Sequence, residues 1–286
     1  MFNKALIATD LSESSEQLVR CTGGLHHLGV RETVLGFCIR LHEVGGVRAN
    51  VEDILKPNLD RRREALERQG YAVKAELLLG DPHTEVNRLA DAKDCDLVVV
   101  GSRVHSLAGE VVLGGVTGEI LHHCRKPLLV LRLSVDKECP QACPLTTRDR
   151  VLFPTDFSEN AEHAFAAVDK LAEHGLKSVV LLHVQDRTKI DRHLKDRLEE
   201  FNTIDRGRLE RLKEVLVGKG VGDVQIELPY GLPTEEILRR TRRGDISLAV
   251  MGSQGRGFVG EVFLGSVSHN IARHAPVPML LIPAIR

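Results

Sequence analysis

The stretch Gly252-Ser253-Gln254-Gly255, followed by nine residues and then by Gly265-Ser266-Val267, decides how this chain is interpreted. It follows an apolar run that predicts a buried strand, and it precedes an apolar-periodic segment that predicts a helix. Backbone N–H groups and the helix dipole can hold a phosphate at such a junction. Gly252 and Gly255 leave room for a ligand, and the Ser266 hydroxyl can donate to a phosphate oxygen. Glycines also serve ordinary turns, so the loop alone leaves a purely structural role open.

Length and composition set limits on the function. A chain of 286 residues suits two domains, and 42% apolar with 28% charged residues is typical of a soluble globular protein. The net charge of −1, the absence of tryptophan and an aromatic content of 3% argue against nucleic acid and against an anionic membrane surface. No apolar run reaches the ~18 residues that span a bilayer, and residues 1–8 enter a strand pattern rather than a signal peptide. We therefore expect a cytoplasmic protein with neither nucleic acid nor membrane as a partner.

The six cysteines indicate no disulfide framework or zinc site. Four are scattered through helix and strand patterns, where free cysteine behaves as a small apolar residue. Cys139 and Cys143 lie in a proline-bearing segment without a second ligand pair nearby, although zinc needs about four ligands. We expect these two to be linker residues without a role, with redox or metal use as the alternative.

Strand and helix patterns alternate along the first half of the chain. The strands are predicted at residues 4–9, 33–39, 72–79, 96–100 and 128–131, with helices over about 12–27, 51–69, 84–93 and 115–124. This alternation is the signature of a parallel α/β sheet.

The second half repeats the first. Residues 80 and 231, 101 and 252, and 127 and 278 each begin similar segments, and each pair lies 151 positions apart. A tandem duplication therefore covers nearly the whole chain. We predict domains at residues 1–133 and 148–286, joined by a linker at 134–147.

The loop spacing and the duplication resemble the universal stress protein family, in a tandem two-domain form. The resemblance implies two open parallel five-stranded sheets of order 3-2-1-4-5 with helices on both faces, of the adenine nucleotide alpha hydrolase-like type. Such sheets bind ligands where the winding direction reverses, beyond the carboxyl ends of strands 1 and 4. The two best motifs of the second half, Thr155-Asp156 and the loop that begins at Gly252, flank that crevice.

The resemblance also implies which residues bind an adenine nucleotide. It assigns nucleoside contacts to the aspartate after strand 1 and adenine contacts to the backbone that ends strand 2, and it assigns the phosphates to the glycine loop. In this chain the matching residues are Thr155, Asp156, Val184, Gly252, Gly255, Arg256, Gly265, Ser266 and Val267. The implied ligand is ATP, alone or with Mg²⁺, in a regulatory or stress-response module.

The first half departs from this pattern. Val104 stands where the second glycine is expected, and Gly115 stands where the serine is expected, although Asp10 is kept. A β-branched side chain brings bulk towards the phosphates, and glycine lacks the hydroxyl. We expect little or no nucleotide binding there.

The sequence supports at most slow ATP hydrolysis. It lacks a Walker lysine motif, and its candidate acid–base residues, His183 and His269, are more often structural at such positions. The alternative to an ATP-binding module is an interaction protein or small-molecule carrier that uses the duplicated fold without nucleotide.

The final strand of each half is expected to be an uncharged apolar edge, which favours pairing with another strand. We expect residues 128–131 to pair with residues 279–282 in an intramolecular pseudo-dimer, which leaves room for a further homodimer.

Overall fold

The computed structural model describes residues 1–10, 13–39, 48–105, 110–112, 115–134, 150–190, 197–255 and 264–284. The chain divides into two compact units, Met1–Leu145 and Thr146–Arg286. Cys139, Cys143 and most of the predicted linker lie outside the described residues, as does Arg256.

The first unit alternates strands and helices as the sequence predicts. Its elements are β1 (Lys4–Thr9), α1 (Glu13–Cys21), a 3₁₀ helix (Thr22–Leu28), β2 (Glu32–Ile39), α2 (Arg48–Arg68), β3 (Ala72–Leu79), α3 (Pro82–Ala92), β4 (Leu97–His105), β5 (Glu110–Val112), α4 (Gly115–His123) and β6 (Leu128–Ser134). Its parallel strands follow the order β3-β2-β1-β4-β6, and β5 pairs antiparallel with β4.

The second unit repeats this plan. Its elements are β7 (Arg150–Pro154), α5 (Glu159–Glu173), β8 (Ser178–Leu182), β9 (Gln185–Asp186), α6 (Arg187–Ile190), α7 (Leu198–Gly218), β10 (Asp223–Glu227), β11 (Tyr230–Gly231), α8 (Pro233–Thr241), β12 (Leu248–Gly252), α9 (Ser266–His274) and β13 (Met279–Ile282). Its parallel strands follow the order β10-β8-β7-β12-β13, and β9 and β11 form a separate short pair.

Both sheets therefore confirm the predicted 3-2-1-4-5 order, with the reversal of winding between β1 and β4 and between β7 and β12. The central strands are fully buried because helices cover them; residues 248–252 of β12 are an example. Because crossovers between parallel strands are right-handed as a rule, a reversal of winding places helices on opposite faces of a sheet. No described helix is both long and apolar enough to cross a bilayer.

One element differs from the sequence prediction. In the first unit, β4 continues to His105 and forms a hairpin with β5, where the sequence predicts a strand that ends at Val100 and a loop. The cause of this longer strand is non-local, because β6 pairs with β4 as far as Val104.

Candidate functional site

The end of β7 presents Thr155 and Asp156 in a tight turn. Thr155 accepts the backbone N–H of Phe157 on Oγ1 at 3.0 Å, and Phe157 adopts a positive φ of 57°. The Asp156 carboxylate accepts from the backbone N–H of Ser158 at 3.1 Å and from its hydroxyl at 2.6 Å. Ser158 is the N-cap of α5, with its Oγ accepting from Ala161 N at 3.2 Å. Because Ser158 caps the helix directly, Asp156 is not needed as the N-cap.

The loop after β12 is held at both ends by backbone contacts. Gly265 N donates to Ser253 O at 2.7 Å, which brings the end of the loop back to its beginning. The Ser268 hydroxyl on α9 donates to Gly252 O at 2.8 Å. Gly252 also lies against Asn160, where an added Cβ would be 2.7 Å from Nδ2. The tight packing of α5 against β12 therefore explains the glycine at 252 without a ligand.

Gly265 is different, because neither its backbone geometry nor its packing against the described residues requires glycine there. It is the N-cap of α9 with φ −69° and ψ 155°, which any residue adopts, and it provides no side-chain cap. A Cβ added to Gly265 would be 3.4 Å from its nearest neighbour, the Cα of Gln254, which is an ordinary contact distance. The first turn of α9, which contains Ser266 and Val267, thus begins without a side-chain cap.

These segments enclose one cavity of about 910 Å³. The predicted site residues that line it are Thr155, Asp156, Val184, Gly252, Gly255, Gly265, Ser266 and Val267. The structure therefore brings together every predicted site residue that it describes, at the carboxyl ends of β7, β8 and β12. A cavity of this size is typical of small-molecule sites.

Several lining residues were not predicted from the sequence. From β9, α6 and α7 come Gln185, Asp186, Lys189, Ile190, Phe201, Ile204, Asp205 and Arg208, and His183 at the end of β8 was named only as a candidate acid–base residue. Arg208 lies over the ring of Phe157, with 5.1 Å between its guanidinium carbon and the ring centroid. A comparison of the two halves of the sequence could have found part of this set, because polar residues in one half replace apolar residues in the other.

His183 is buried and both of its ring nitrogens face the protein. Its Nδ1 lies 2.7 Å from Thr155 O, and since a carbonyl oxygen only accepts, Nδ1 carries the hydrogen. Its Nε2 lies 3.5 Å from Asp205 Oδ2. This geometry favours a positioning role for His183 over proton transfer to a ligand.

His269, the second histidine that the sequence singled out, lies on α9. Burial lowers its pKa, with Arg273 and His274 acting in the same direction. Within the described ranges, no three His, Cys, Asp or Glu side chains are grouped as a metal ion would require.

In the first unit the matching space is filled by side chains. Lys4 of β1 pairs with Glu32 of β2, and the equivalent Arg150 of β7 pairs with Ser178 of β8. Five residues further along the chain from Glu32 and from Ser178 stand Phe37 and His183, which are therefore equivalent positions. Phe37, Ile39 and Leu55 form a buried apolar cluster there, and Leu59, Leu77 and Leu79 pack against it.

Arg62 closes this space further in the first unit. Its side chain is 5% exposed, lies over the Phe37 ring at 5.4 Å and donates to Asp10 O at 3.2 Å. Burial lowers the pKa of this guanidinium, and Glu16 opposes that shift.

The chain after β4 forms a hairpin in the first unit. Residues 103–105 pair with residues 110–112 as a hairpin. A Cβ on Gly101 would be 2.5 Å from Leu133 Cδ1, and the buried Arg132 donates to Ser102 Oγ at 2.5 Å. In the second unit the corresponding Ser253 Oγ has no partner among the described residues. The two units therefore share a sheet but present different surfaces at its carboxyl edge.

A smaller cavity of about 410 Å³ lies between β10 and α8. Its cations are paired: Arg240 with Glu227 at 2.7 Å, Arg239 with Glu236, and Arg243 with Glu227 at 3.5 Å. Each arginine that lines this cavity is therefore already paired with a carboxylate, with Glu227 shared by two of them.

Comparison with known proteins identifies the family. The model of the universal stress protein family matches residues 1–132 and again residues 147–283. This chain belongs to the universal stress protein family. The double match agrees with the tandem duplication seen in the sequence and with the two similar sheets.

Curated relatives support the same conclusion. The universal stress protein MJ0577 of Methanocaldococcus jannaschii is 30% identical over 154 residues, which cover 46% of this chain and 93% of that protein. A universal stress protein of Mycolicibacterium smegmatis is 28% identical over 249 residues, covering 80% of this chain and 79% of that protein. The crystal structure of a universal stress protein from Archaeoglobus fulgidus has a TM-score of 0.77 at 23% identity, covers 98% of each chain, and bears on the fold.

Proposed function

We propose that the second unit binds an adenine nucleotide, ATP, and that bound nucleotide controls the regulatory activity of this universal stress protein in a stress response. The observation that carries this proposal is the start of α9 at Gly265, which lies beside the cavity without a side-chain cap. The backbone N–H groups of that first turn are therefore the natural donors to a phosphate.

The cavity supplies the other contacts that a nucleotide needs. Ser266 at the start of α9 offers a hydroxyl beside the phosphates, and Asp156 at the end of β7 can accept bonds from ribose hydroxyls. The base would extend towards Val184 at the end of β8. Arg256, which the sequence places next to the phosphates, stays a proposal, as does Mg²⁺ bound with the nucleotide.

The contrast with the first unit supports the proposal that only the second unit binds nucleotide. The corresponding space of the first unit is filled by Phe37, Leu55 and Arg62, and its β4 loop forms a hairpin. The described residues of the first unit therefore show that the fold does not require polar side chains at these positions.

Mass spectrometry of small molecules released from protein purified without added nucleotide tests the proposal. Release of ATP or ADP at close to one per chain is the expected result. Protein that releases none and that shows no heat of binding with ATP after dialysis would favour the interaction or carrier role instead. Replacing Gly265 with valine gives the matched control, since it should abolish retention of the nucleotide.

The pairing of residues 128–131 with residues 279–282 stays a prediction from the sequence. Expression of residues 1–145 and 146–286 as separate chains, with a tag on one of them, tests it. The pairing would be supported by co-purification that is lost when a proline replaces a residue within 128–131 or within 279–282.

A further inference from the structure

Two buried polar residues and one partly buried carboxylate of the second unit replace three apolar residues of the first. His183 corresponds to Phe37 and Gln185 to Ile39 through the registers of β7 with β8 and of β1 with β2. The helices α2 and α7 are each 21 residues long and end in the same backbone bond, from Tyr71 N to Leu66 O and from Val221 N to Leu216 O.

Residues of α2 and α7 therefore correspond at an offset of 150 positions, which makes Asp205 the counterpart of Leu55. The apolar trio Phe37, Ile39 and Leu55 packs as one cluster in the first unit. The fold therefore does not require polar groups at these positions. Because burying a carboxylate without full hydrogen bonding is costly, its presence in the second unit indicates a use within the cavity.

The contacts that Asp205 makes with other described residues are all long. Its side chain is 15% exposed, and its oxygens lie 3.5 Å from His183 Nε2, 3.5 Å from Gln185 Nε2 and 3.6 Å from Arg208 Nη1. Charge-assisted hydrogen bonds to a carboxylate are usually 2.7–2.9 Å long. The carboxylate can thus accept at least one shorter bond, and it lines the 910 Å³ cavity.

The position of Asp205 in the sheet order indicates which part of a ligand it meets. The strand order places β8 on one side of β7 and β12 on the other. A nucleotide with its phosphates at Gly265 and its sugar at Asp156 therefore directs its base towards the end of β8. Asp205 approaches that end from α7, through its contact with His183.

We propose that Asp205 is a specificity-determining residue that accepts a hydrogen bond from the exocyclic amino group of the base. This inference rests on the proposed nucleotide binding and deepens it. The site then selects a 6-aminopurine over a 6-oxopurine, because a 6-oxo group would direct a second acceptor at the carboxylate.

The test compares ATP with inosine triphosphate, which has a 6-oxo group, by calorimetric titration of the full chain. Wild-type protein should prefer ATP by roughly tenfold to a hundredfold, the range that a hydrogen bond to a charged group gives. In Asp205→Asn the preference should fall to about threefold or less, since an amide can donate as well as accept. Asp205→Leu should lose the preference in the same way, and it should fold because the first unit has leucine at the matching position.

Glu210→Gln is the control for loss of a carboxylate on the same helix. Glu210 contacts Lys213 at 3.9 Å on the exposed side of α7, and its replacement should leave the ratio of the two affinities unchanged. If wild-type protein binds both nucleotides equally, or if Asp205→Asn and Asp205→Leu keep the wild-type ratio, the role of Asp205 is wrong while nucleotide binding stands. If wild-type protein binds neither nucleotide, the proposed function itself fails and this inference fails with it.

Discussion

The Asp156 carboxylate lies directly against Gly255 in the wall of the cavity. A Cβ on Gly255 would lie 2.6 Å from Asp156 Oδ2. The sequence places these two residues 99 positions apart, and the turn after β7 and the loop after β12 bring them together. Asp156 cannot easily move away, because Ser158 holds its other oxygen with two hydrogen bonds.

Gly255→Ala should therefore disturb both the fold and the binding of nucleotide. The forced overlap should cost about 1–3 kcal/mol of unfolding free energy, as overpacking commonly does. Displacement of Asp156 should also weaken ATP binding. Chemical denaturation and calorimetry on the same preparation measure the two effects, and unchanged stability together with unchanged affinity would contradict the prediction.

Gly265→Ala should separate binding from folding. The added methyl group meets its nearest protein atom at 3.4 Å, so the unfolding free energy should stay within about 0.5 kcal/mol of wild type. ATP affinity should fall roughly tenfold or more, because tenfold corresponds to about 1.4 kcal/mol and a methyl group in the phosphate path costs at least that much. Equal loss of stability and of affinity would instead give Gly265 a packing role.

Ser266→Ala should weaken ATP binding by about 1 kcal/mol, the contribution of one neutral hydrogen bond. Calorimetry with ATP and with adenosine provides the internal control, since adenosine lacks phosphates and its affinity should not change. A similar loss with both ligands would place the Ser266 hydroxyl away from the phosphates.

The number of nucleotides per chain should be about one. In the described part of the first unit, Phe37, Leu55 and Arg62 occupy the end of β2, whereas the second unit has a cavity at the matching place. Titration of nucleotide-free protein with ATP should therefore give a single transition. Two equivalent sites would show that the first unit can rearrange and open.

Acid should weaken the second unit through Asp245. Hydrogen bonds from Arg240 and then from Arg150 lower the pKa of Asp245 from 3.8 to about 2, against an opposing effect of burial. A carboxylate with a lowered folded-state pKa contributes stability above the unfolded pKa and loses it as the pH falls towards the folded pKa. Asp245→Asn should thus be less stable than wild type at pH 7, and the difference should shrink between about pH 4 and pH 2.

Denaturant titrations of both proteins at several pH values measure this shift. Glu235→Gln offers a control on the neighbouring helix α8, with no expected change in the acid dependence. An Asp245→Asn difference that stays constant from pH 7 to pH 2 would show that the carboxylate charge does not contribute.

The sequence by itself determined the order of strands and helices and the duplication. Both are encoded locally, because hydrophobic periodicity and glycine or proline positions act over a few residues and recur 151 positions later. The position of the cavity followed as well, since parallel strands end at the same edge and the winding reverses at one place in each sheet.

Only the tertiary structure decided what faces the cavity from α7 and what fills the first unit. Asp205 reaches His183 through the packing of a helix over a strand end, and Arg62 reaches Asp10 in the same manner. Helix periodicity shows which face of α7 is apolar, but the rotation and height of that helix on the sheet depend on all of its contacts together. The hairpin of β4 with β5 is likewise non-local, since the pairing of β6 with β4 as far as Val104 extends a strand that its own sequence would end at Val100.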